Sequence, residues 1–102
     1  MAKVIAMYKT PADPAAFDRY YYATHLPIAR KIPGLRHYDV TTGPVSTLAG
    51  PSPYHLIALL SFDSLAAIQA ALASPEGQAT AADLGNFATG GVEILIADTK
   101  AI

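Results

Sequence analysis

Three histidines and a group of tyrosines are the side chains of this chain that could carry chemistry. Four of the six tyrosines and two of the three histidines lie in residues 20–38, YYYATHLPIARKIPGLRHY. In this segment His25 stands two residues before Pro27, close to the predicted end of a helix. An imidazole with a reference pKa of about 6.5 exchanges protons near neutral pH. We therefore predict that His25 is a general acid or base for an enolisable or phenolic molecule. The alternative is that it only caps carbonyls freed by Pro27.

Two tyrosines and one phenylalanine are candidates for the same pocket. Tyr38, in the next predicted strand, could donate a hydrogen bond to a substrate oxygen, or it could simply pack on the first helix. Tyr22 lies on the same side of the helix as His25, so it could line the pocket or belong to an interface. Phe87 anchors a later loop and is predicted to contact the substrate.

His37 and His55 fall on two strands that we expect to be neighbours, and both are odd-numbered, so they could share a face and contact the substrate. A metal site built from all three histidines is conceivable. The chain nevertheless has no short-spaced histidine pair and no carboxylate ligand beside one, so we predict no metal. Gly90-Gly91 precedes a strand rather than a helix, which does not indicate nucleotide binding. Haem ligation by a histidine stays open, but nothing local favours it, and we predict no cofactor.

Composition limits the class of protein. The chain has 102 residues, 52% of them hydrophobic and only 15% charged, which predicts one domain over residues 1–102 with much apolar surface. The net charge of −1 and the lack of a basic run argue against a nucleic acid or an anionic membrane as partner. There is no cysteine, which excludes disulfides and thiol chemistry. No stretch resembles a signal peptide or a membrane span, so we expect a soluble, cytoplasmic protein.

The first helix must position His25. Asp13 is the predicted N-cap and Pro14 the first helical residue. At 100° per residue the buried arc of this helix would hold Phe17, Tyr21, Thr24 and Ile28, with His25 at its edge. Pro27 cannot donate a backbone hydrogen bond, which predicts a kink or a restart there and a short continuation to Ile32.

Alternating and continuous apolar runs predict four strands, at residues 3–9, 35–42, 54–62 and 92–97. Residues 43–53 are predicted to be a loop. Asp63 or Ser64 would cap a second helix over 64–73, and Ser74 a third to about Leu84. This order predicts an α+β, ferredoxin-like βαββαβ domain. The first and third strands would be central in a four-stranded antiparallel sheet, with the helices on one face.

The face of the sheet opposite the helices should also be apolar. Four strands of ordinary length present roughly 400 Å² there, and a patch of that size rarely stays exposed on a monomer. We therefore predict a two-fold homodimer that packs sheet face to sheet face. Burial of this patch would contribute on the order of 10 kcal/mol before the cost of association.

A known family shows the same combination of residues. The features are an aromatic pair in the first helix, a His-x-Pro, a Pro-Gly-Leu turn and a strand tyrosine, here at Tyr21-Tyr22, His25-x-Pro27, Pro33–Leu35 and Tyr38. A second stretch, LASPEGQATAADLGNF, adds Ser74–Gly77, Asp83 and Phe87. Together these segments resemble the EthD-like family of the dimeric α+β barrel superfamily, and the similarity covers nearly the whole chain.

The resemblance implies a ferredoxin-like fold and a dimer more firmly than it implies a reaction. EthD-like proteins are associated with ether degradation by a cytochrome P450 system. Relatives on this fold include muconolactone isomerases, polyketide cyclases and cofactor-free monooxygenases. In methylisomerase-like relatives a helix-end histidine and a strand tyrosine contribute to the pocket, and His25 and Tyr38 match them, although the cysteines used there are missing here.

Two functional hypotheses follow. The first is a small cofactor-independent enzyme of isomerase, cyclase or oxygenase type that acts on a hydrophobic, oxygenated small molecule through His25. The second is a non-catalytic protein that binds a hydrophobic ligand or serves as an accessory to an oxidative degradation pathway.

Overall fold

A four-stranded antiparallel sheet is the framework of the protein. The computed structural model describes residues 1–102. The long strands are β1 (Ala2–Lys9), β2 (His37–Val40), β5 (Tyr54–Phe62) and β6 (Val92–Asp98), with a small hairpin of β3 (Ser46–Thr47) and β4 (Gly50–Pro51) between β2 and β5. The sheet order is β2-β5-β1-β6. The first and third predicted strands are therefore central, which confirms the ferredoxin-like α+β fold.

The helices begin at capping residues that the sequence indicates. The helical elements are α1 (Pro14–Tyr20), a π-helical turn (Tyr21–His25), α2 (Leu26–Ala29), α3 (Leu65–Ala73), α4 (Pro75–Asp83) and a 3-10 turn (Leu84–Asn86). The side chain of Asp13 accepts the N–H of Ala16 at 3.1 Å, and Ser64 rather than Asp63 caps α3. Ser74 caps α4 directly after α3 ends. No helix has the length and apolar character needed to cross a membrane.

The helical segment that carries His25 differs from the expected regular helix. The N–H of Leu26 bonds to the carbonyl of Tyr21, five residues back. In a regular helix the ring of the next residue, Pro27, would clash with the carbonyl of Ala23, and the wider turn lies directly before it. In a regular helix, residues four positions apart differ by about 40° in their direction around the axis. The wider turn removes this difference, so residues four apart here face the same way.

The predicted buried arc was therefore wrong beyond Tyr21. The positions that face the sheet are Phe17, Tyr21, His25 and Ala29, whereas Thr24 is exposed and Ile28 only half-buried. His25 thus moves from the edge of the buried face to its centre. The helix itself ends at Ala29, and Ile32 is buried in the turn that follows.

The core lies between the helices and one face of the sheet. Every second residue of β1 is buried, from Ala2 to Tyr8, and the matching residues of β5 pack beside them. On the opposite face no part of the chain covers the sheet. Leu59 of β5 and Leu95 of β6 lie on this face and are 38% and 50% exposed in the single chain. The face is therefore apolar, as the sequence predicted, but uncovered.

Candidate functional site

A cavity of about 80 Å³ lies between the helices and the sheet. Seventeen residues line it, and 14 of them are hydrophobic. Small side chains on the sheet and on α2 leave the space, since Ala6, Ala29 and Ala58 stand where larger residues would fill it. Two lining residues, Leu72 and Ile94, are 39% and 47% exposed, so the cavity opens to solvent between α3 and β6.

His25 lies in the wall of this cavity and is held by Asp83. Its Nδ1 atom lies 2.9 Å from Oδ2 of Asp83, and both side chains are buried. Asp83 is the last residue of α4, so this bond joins the π-helical turn to the second helical layer. Asp83 also accepts hydrogen bonds from the hydroxyl of Tyr20 at 2.6 Å and the amide of Asn86 at 3.0 Å. Three donors therefore converge on one carboxylate.

The charge states of the pair follow from these contacts. Burial alone would raise the pKa of Asp83, but the hydrogen bonds from Tyr20, Asn86 and His25 outweigh it and hold that pKa below its usual value. Burial lowers the pKa of His25, and the opposing effect of Asp83 does not restore it. At neutral pH the imidazole is neutral and Asp83 is ionised. Because a carboxylate can only accept, the hydrogen of His25 lies on Nδ1 and the lone pair on Nε2.

Tyr8 is the nearest polar neighbour of that lone pair. Its Oη atom lies 3.5 Å from Nε2 of His25, which is long for a hydrogen bond. Burial raises the pKa of Tyr8, and the neighbouring Tyr38 and Asp83 add to the shift, so Tyr8 keeps its hydrogen. The contact is weak enough for a substrate atom to replace it. Nε2 of His25 is therefore available as a base inside an apolar cavity.

A second polar group in the cavity is a pair of tyrosines. The hydroxyl oxygens of Tyr21 and Tyr38 lie 2.6 Å apart, and both residues line the cavity. Tyr21 is fully buried and Tyr38 half-buried. Burial is the main reason that the pKa values of both hydroxyls are raised, so both are neutral near pH 7 and can donate.

Aromatic rings hold the imidazole from behind. The ring centroids of Phe87 and His25 lie 4.5 Å apart, and Tyr21 packs at 5.3 Å on another side. Phe87 was predicted to contact the substrate. The structure places it behind His25 and in contact with Phe17 and Tyr20, and not among the lining residues.

The other predicted site residues lie away from the cavity. His55 bonds through Nε2 to Asp18 at 2.8 Å and shares a separate open groove with Tyr22. His37 is exposed on β2, opposite Ser61, on the face without helices. Of the predicted set, only His25 and Tyr38 therefore line the cavity. The three histidines do not converge, and no group of three His, Asp or Glu side chains is placed to hold a metal ion.

Sequence reasoning did not assign Tyr8, Tyr20 or Asp83 to the site, and it placed Tyr21 only in the buried arc of the first helix. Tyr8 lies at the end of the buried alternation of β1, and this period-two pattern could have identified it. Asp83 and Tyr20 reach the site through a contact that spans 63 positions of the chain, which no local pattern encodes. Asp83 was noted only as part of the family resemblance.

The geometry permits proton transfer. A carboxylate fixes the imidazole tautomer, the free nitrogen faces an apolar space, and hydroxyl donors stand nearby. A base oriented by a carboxylate is the arrangement that general acid–base catalysis requires.

Known proteins resemble this chain in sequence and in fold. The model of the EthD domain family matches residues 9–91. An uncharacterised 11.0 kDa protein from the thcB-thcC intergenic region of Rhodococcus erythropolis is 44% identical over 104 residues, covering 100% of this chain and 98% of that protein.

Solved structures share the fold of this chain. An EthD family protein from Bacillus halodurans superposes with a TM-score of 0.89 at 37% identity, over 98% of this chain and 99% of that chain. SnoaB, a cofactor-independent oxygenase from Streptomyces nogalater, superposes with a TM-score of 0.69 at 15% identity, over 99% of this chain and 94% of that chain; this likeness concerns the fold alone. The chain belongs to the EthD family.

Proposed function

We propose that this EthD-family protein is a small enzyme that moves protons on a hydrophobic, oxygenated small molecule without a cofactor. One observation supports this function above the others. His25 is held by Asp83 as a neutral base, and its free nitrogen faces a cavity that is otherwise almost entirely apolar. The side chain of His25 bonds to Asp83 and Tyr8 and to no helix carbonyl, so it does not cap the carbonyls freed by Pro27.

The chemical step uses only groups of the chain. Nε2 of His25 takes a proton from a carbon next to a carbonyl. The electron pair of the broken C–H bond forms the C=C bond of an enolate, and the π pair of the carbonyl moves to its oxygen. Tyr38 donates a hydrogen bond to that oxygen. Isomerisation follows when the protonated imidazole returns the proton to another carbon of the conjugated enolate. Cyclisation follows when the enolate carbon attacks a second carbonyl, whose oxygen then takes the proton from the imidazole. The description of SnoaB as a cofactor-independent oxygenase fits a third outcome, in which the enolate carbon reduces dioxygen and bonds to it, and the resulting peroxide takes the proton from the imidazole.

The proposal is tested by hydrogen exchange in heavy water. Cyclic ketones and lactones with hydrogens beside the carbonyl are incubated with the protein, and deuterium incorporation is followed by NMR. We expect at least one compound to exchange faster, and H25Q to reduce its rate roughly 100-fold or more. His55→Gln is the matched control, because His55 also bonds a carboxylate but lies outside the cavity.

The non-catalytic alternative predicts a different result. The apolar lining alone is enough to hold a hydrophobic ligand. If compounds bind, but none exchanges, or if H25Q exchanges them as fast as the unchanged protein, the enzymatic function is refuted and the ligand-binding function stands.

We further propose that the protein functions as a homodimer joined through the uncovered face of the sheet. Leu59 and Leu95 are exposed there and belong to different strands of one surface, and an uncovered apolar surface of this kind is typical of an interface. Sedimentation of Leu59→Asp should give a monomer where the unchanged protein gives a dimer. Leu48→Asp is the control, since Leu48 is fully exposed in the β3–β4 turn. A monomeric unchanged protein would refute the proposal.

A further inference from the structure

We propose that the hydroxyl pair of Tyr21 and Tyr38 is an oxyanion-binding site and that the substrate is a phenol or enol carried on a single small ring. In this proposal Tyr38 contacts the substrate oxygen, and Tyr21 is a positioning residue that acts through Tyr38. The inference rests on the proposed function, because it takes His25 as the base that creates the oxyanion.

The hydrogen bond between the two tyrosines has a direction. The hydroxyl of Tyr21 has no partner in the structure other than Tyr38, at 2.6 Å. Tyr21 is fully buried whereas Tyr38 is half-buried, and a buried hydroxyl hydrogen without an acceptor is costly, so we take Tyr21 as the donor. A bond accepted in this way lowers the pKa of Tyr38, although burial keeps that pKa above its usual value. The hydrogen of Tyr38 is then left without an acceptor in the protein.

This arrangement strengthens Tyr38 as a donor to an anion. A hydroxyl that accepts one hydrogen bond becomes a better donor of its own hydrogen. Burial, the largest effect, and the neighbouring Tyr22 raise the pKa of Tyr38, whereas the bond with Tyr21 and the positive charge of Arg30 lower it. A hydrogen bond to an ionised oxygen is roughly twice as strong as one to a neutral oxygen. The site therefore favours the ionised form of its ligand.

The size of the cavity limits the ligand. A closed apolar cavity of about 150 Å³ can hold benzene, whereas the cavity here has about 80 Å³ and one open side. A single ring fits if it extends into the opening between Leu72 and Ile94. Because both of these side chains are apolar and exposed, substituents that protrude through the opening should be apolar as well.

His25 and Tyr38 together account for every proton and electron pair in the step. The proton of a phenol O–H, or of the carbon beside a ring carbonyl, passes to Nε2 of His25. For the phenol the electron pair of the broken bond stays on the oxygen; for the carbon acid it forms a C=C bond and the carbonyl π pair moves to the oxygen. In both cases the negative oxygen accepts a hydrogen bond from Tyr38, which keeps its proton. The reverse transfer regenerates the neutral imidazole, so no oxidant or reductant is needed.

A series of single-ring phenols of increasing acidity tests the inference. The phenols carry apolar substituents, from methyl to several fluorines, and binding is measured at one fixed pH by absorbance, which separates phenol from phenolate. The unchanged protein should bind them as phenolates, with affinity that rises with acidity. Tyr38→Phe should lose roughly tenfold or more in affinity for the most acidic phenol. Tyr21→Phe keeps its buried ring and should lose less affinity than Tyr38→Phe. Its affinity should also rise less steeply with the acidity of the phenol.

Tyr54→Phe removes an exposed hydroxyl that bonds only to Glu93 and should bind as the unchanged protein does. No phenol binding, neutral bound phenol, or equal affinity in Tyr38→Phe would overturn the oxyanion site. A loss confined to Tyr38→Phe would overturn the positioning role of Tyr21. Exchange in heavy water that depends on His25 would still support the proposed function in each of these cases, so the two failures are distinguishable.

Discussion

Replacement of Asp83 by asparagine should reverse the tautomer of His25. The amide oxygen of the new side chain can keep the bonds from Tyr20 and Asn86, which both reach Oδ1 of Asp83. The amide nitrogen then takes the place of Oδ2, 2.9 Å from Nδ1 of His25. Because an amide N–H can only donate, Nδ1 must become the acceptor and the hydrogen must move to Nε2. His25 would then present an N–H to the cavity and would no longer be a base.

Asp83→Asn should lower both the rate of the reaction and the free energy of unfolding, and the contacts of Asp83 give the size of each change. Loss of a correctly oriented general base reduces the rate by roughly 10²–10⁴-fold. A hydrogen bond to a charged group stabilises by about 1 kcal/mol more than one to a neutral group. The bond from His25 is buried and the other two are half-buried, so counting these two at half value gives a destabilisation of about 2 kcal/mol.

Two measurements check this prediction. NMR of the ¹⁵N-labelled imidazole identifies which nitrogen carries the hydrogen, and urea unfolding gives the change in stability. Asp18→Asn is the matched control, because Asp18 bonds His55 at 2.8 Å but is half exposed and distant from the cavity. It should cost under about 1 kcal/mol and leave His25 unchanged. A hydrogen that stays on Nδ1 in Asp83→Asn would refute the reasoning.

Two further predictions concern acid stability and helix packing. Because the folded-state pKa of His25 is lowered, the unfolded chain binds a proton below pH of about 6.5 that the folded state does not bind. The free energy of unfolding should therefore fall as pH drops below this value and stay flat above it, and urea midpoints across pH should lose this dependence in H25Q but not in His37→Gln. Gly77→Ala should destabilise by about 2–3 kcal/mol, because its Cβ would clash with the backbone carbonyl of Ala71. Gly85→Ala, which meets open space, should change the same urea midpoint little.

The sequence predicts the local elements of this protein well because their signals are local. Capping residues such as Asp13 and Ser74 mark the helix starts, and the apolar run of β5 identifies a central strand. The resemblance to the EthD family, which the comparisons confirm, supplied the family assignment. The helical arc was wrong because the turn before Pro27 is wider than a regular one, and period-based reasoning assumes a regular turn.

The site itself was predicted only in part, for a related reason. His25 and Tyr38 could be selected because their residue types and positions in the chain suggest chemistry. Their partners could not, because Asp83 and Tyr8 become neighbours of His25 only when α4 and β1 pack against the π-helical turn. The state of a buried imidazole depends on those partners more than on its own position in sequence.

The π-helical turn accounts for both the wrong helical arc and the unpredicted contact between His25 and Asp83. In a regular helix His25 would lie at the edge of the buried face, about 80° from Phe17, and its approach to Asp83 would need a different packing of α4. The wider turn centres His25 on that face and lets Nδ1 meet the carboxylate. Turns of this kind are rare and occur often at functional sites. Pro27 directly follows the turn that orients His25, so the base and the residue that interrupts the regular helix belong to one local structure.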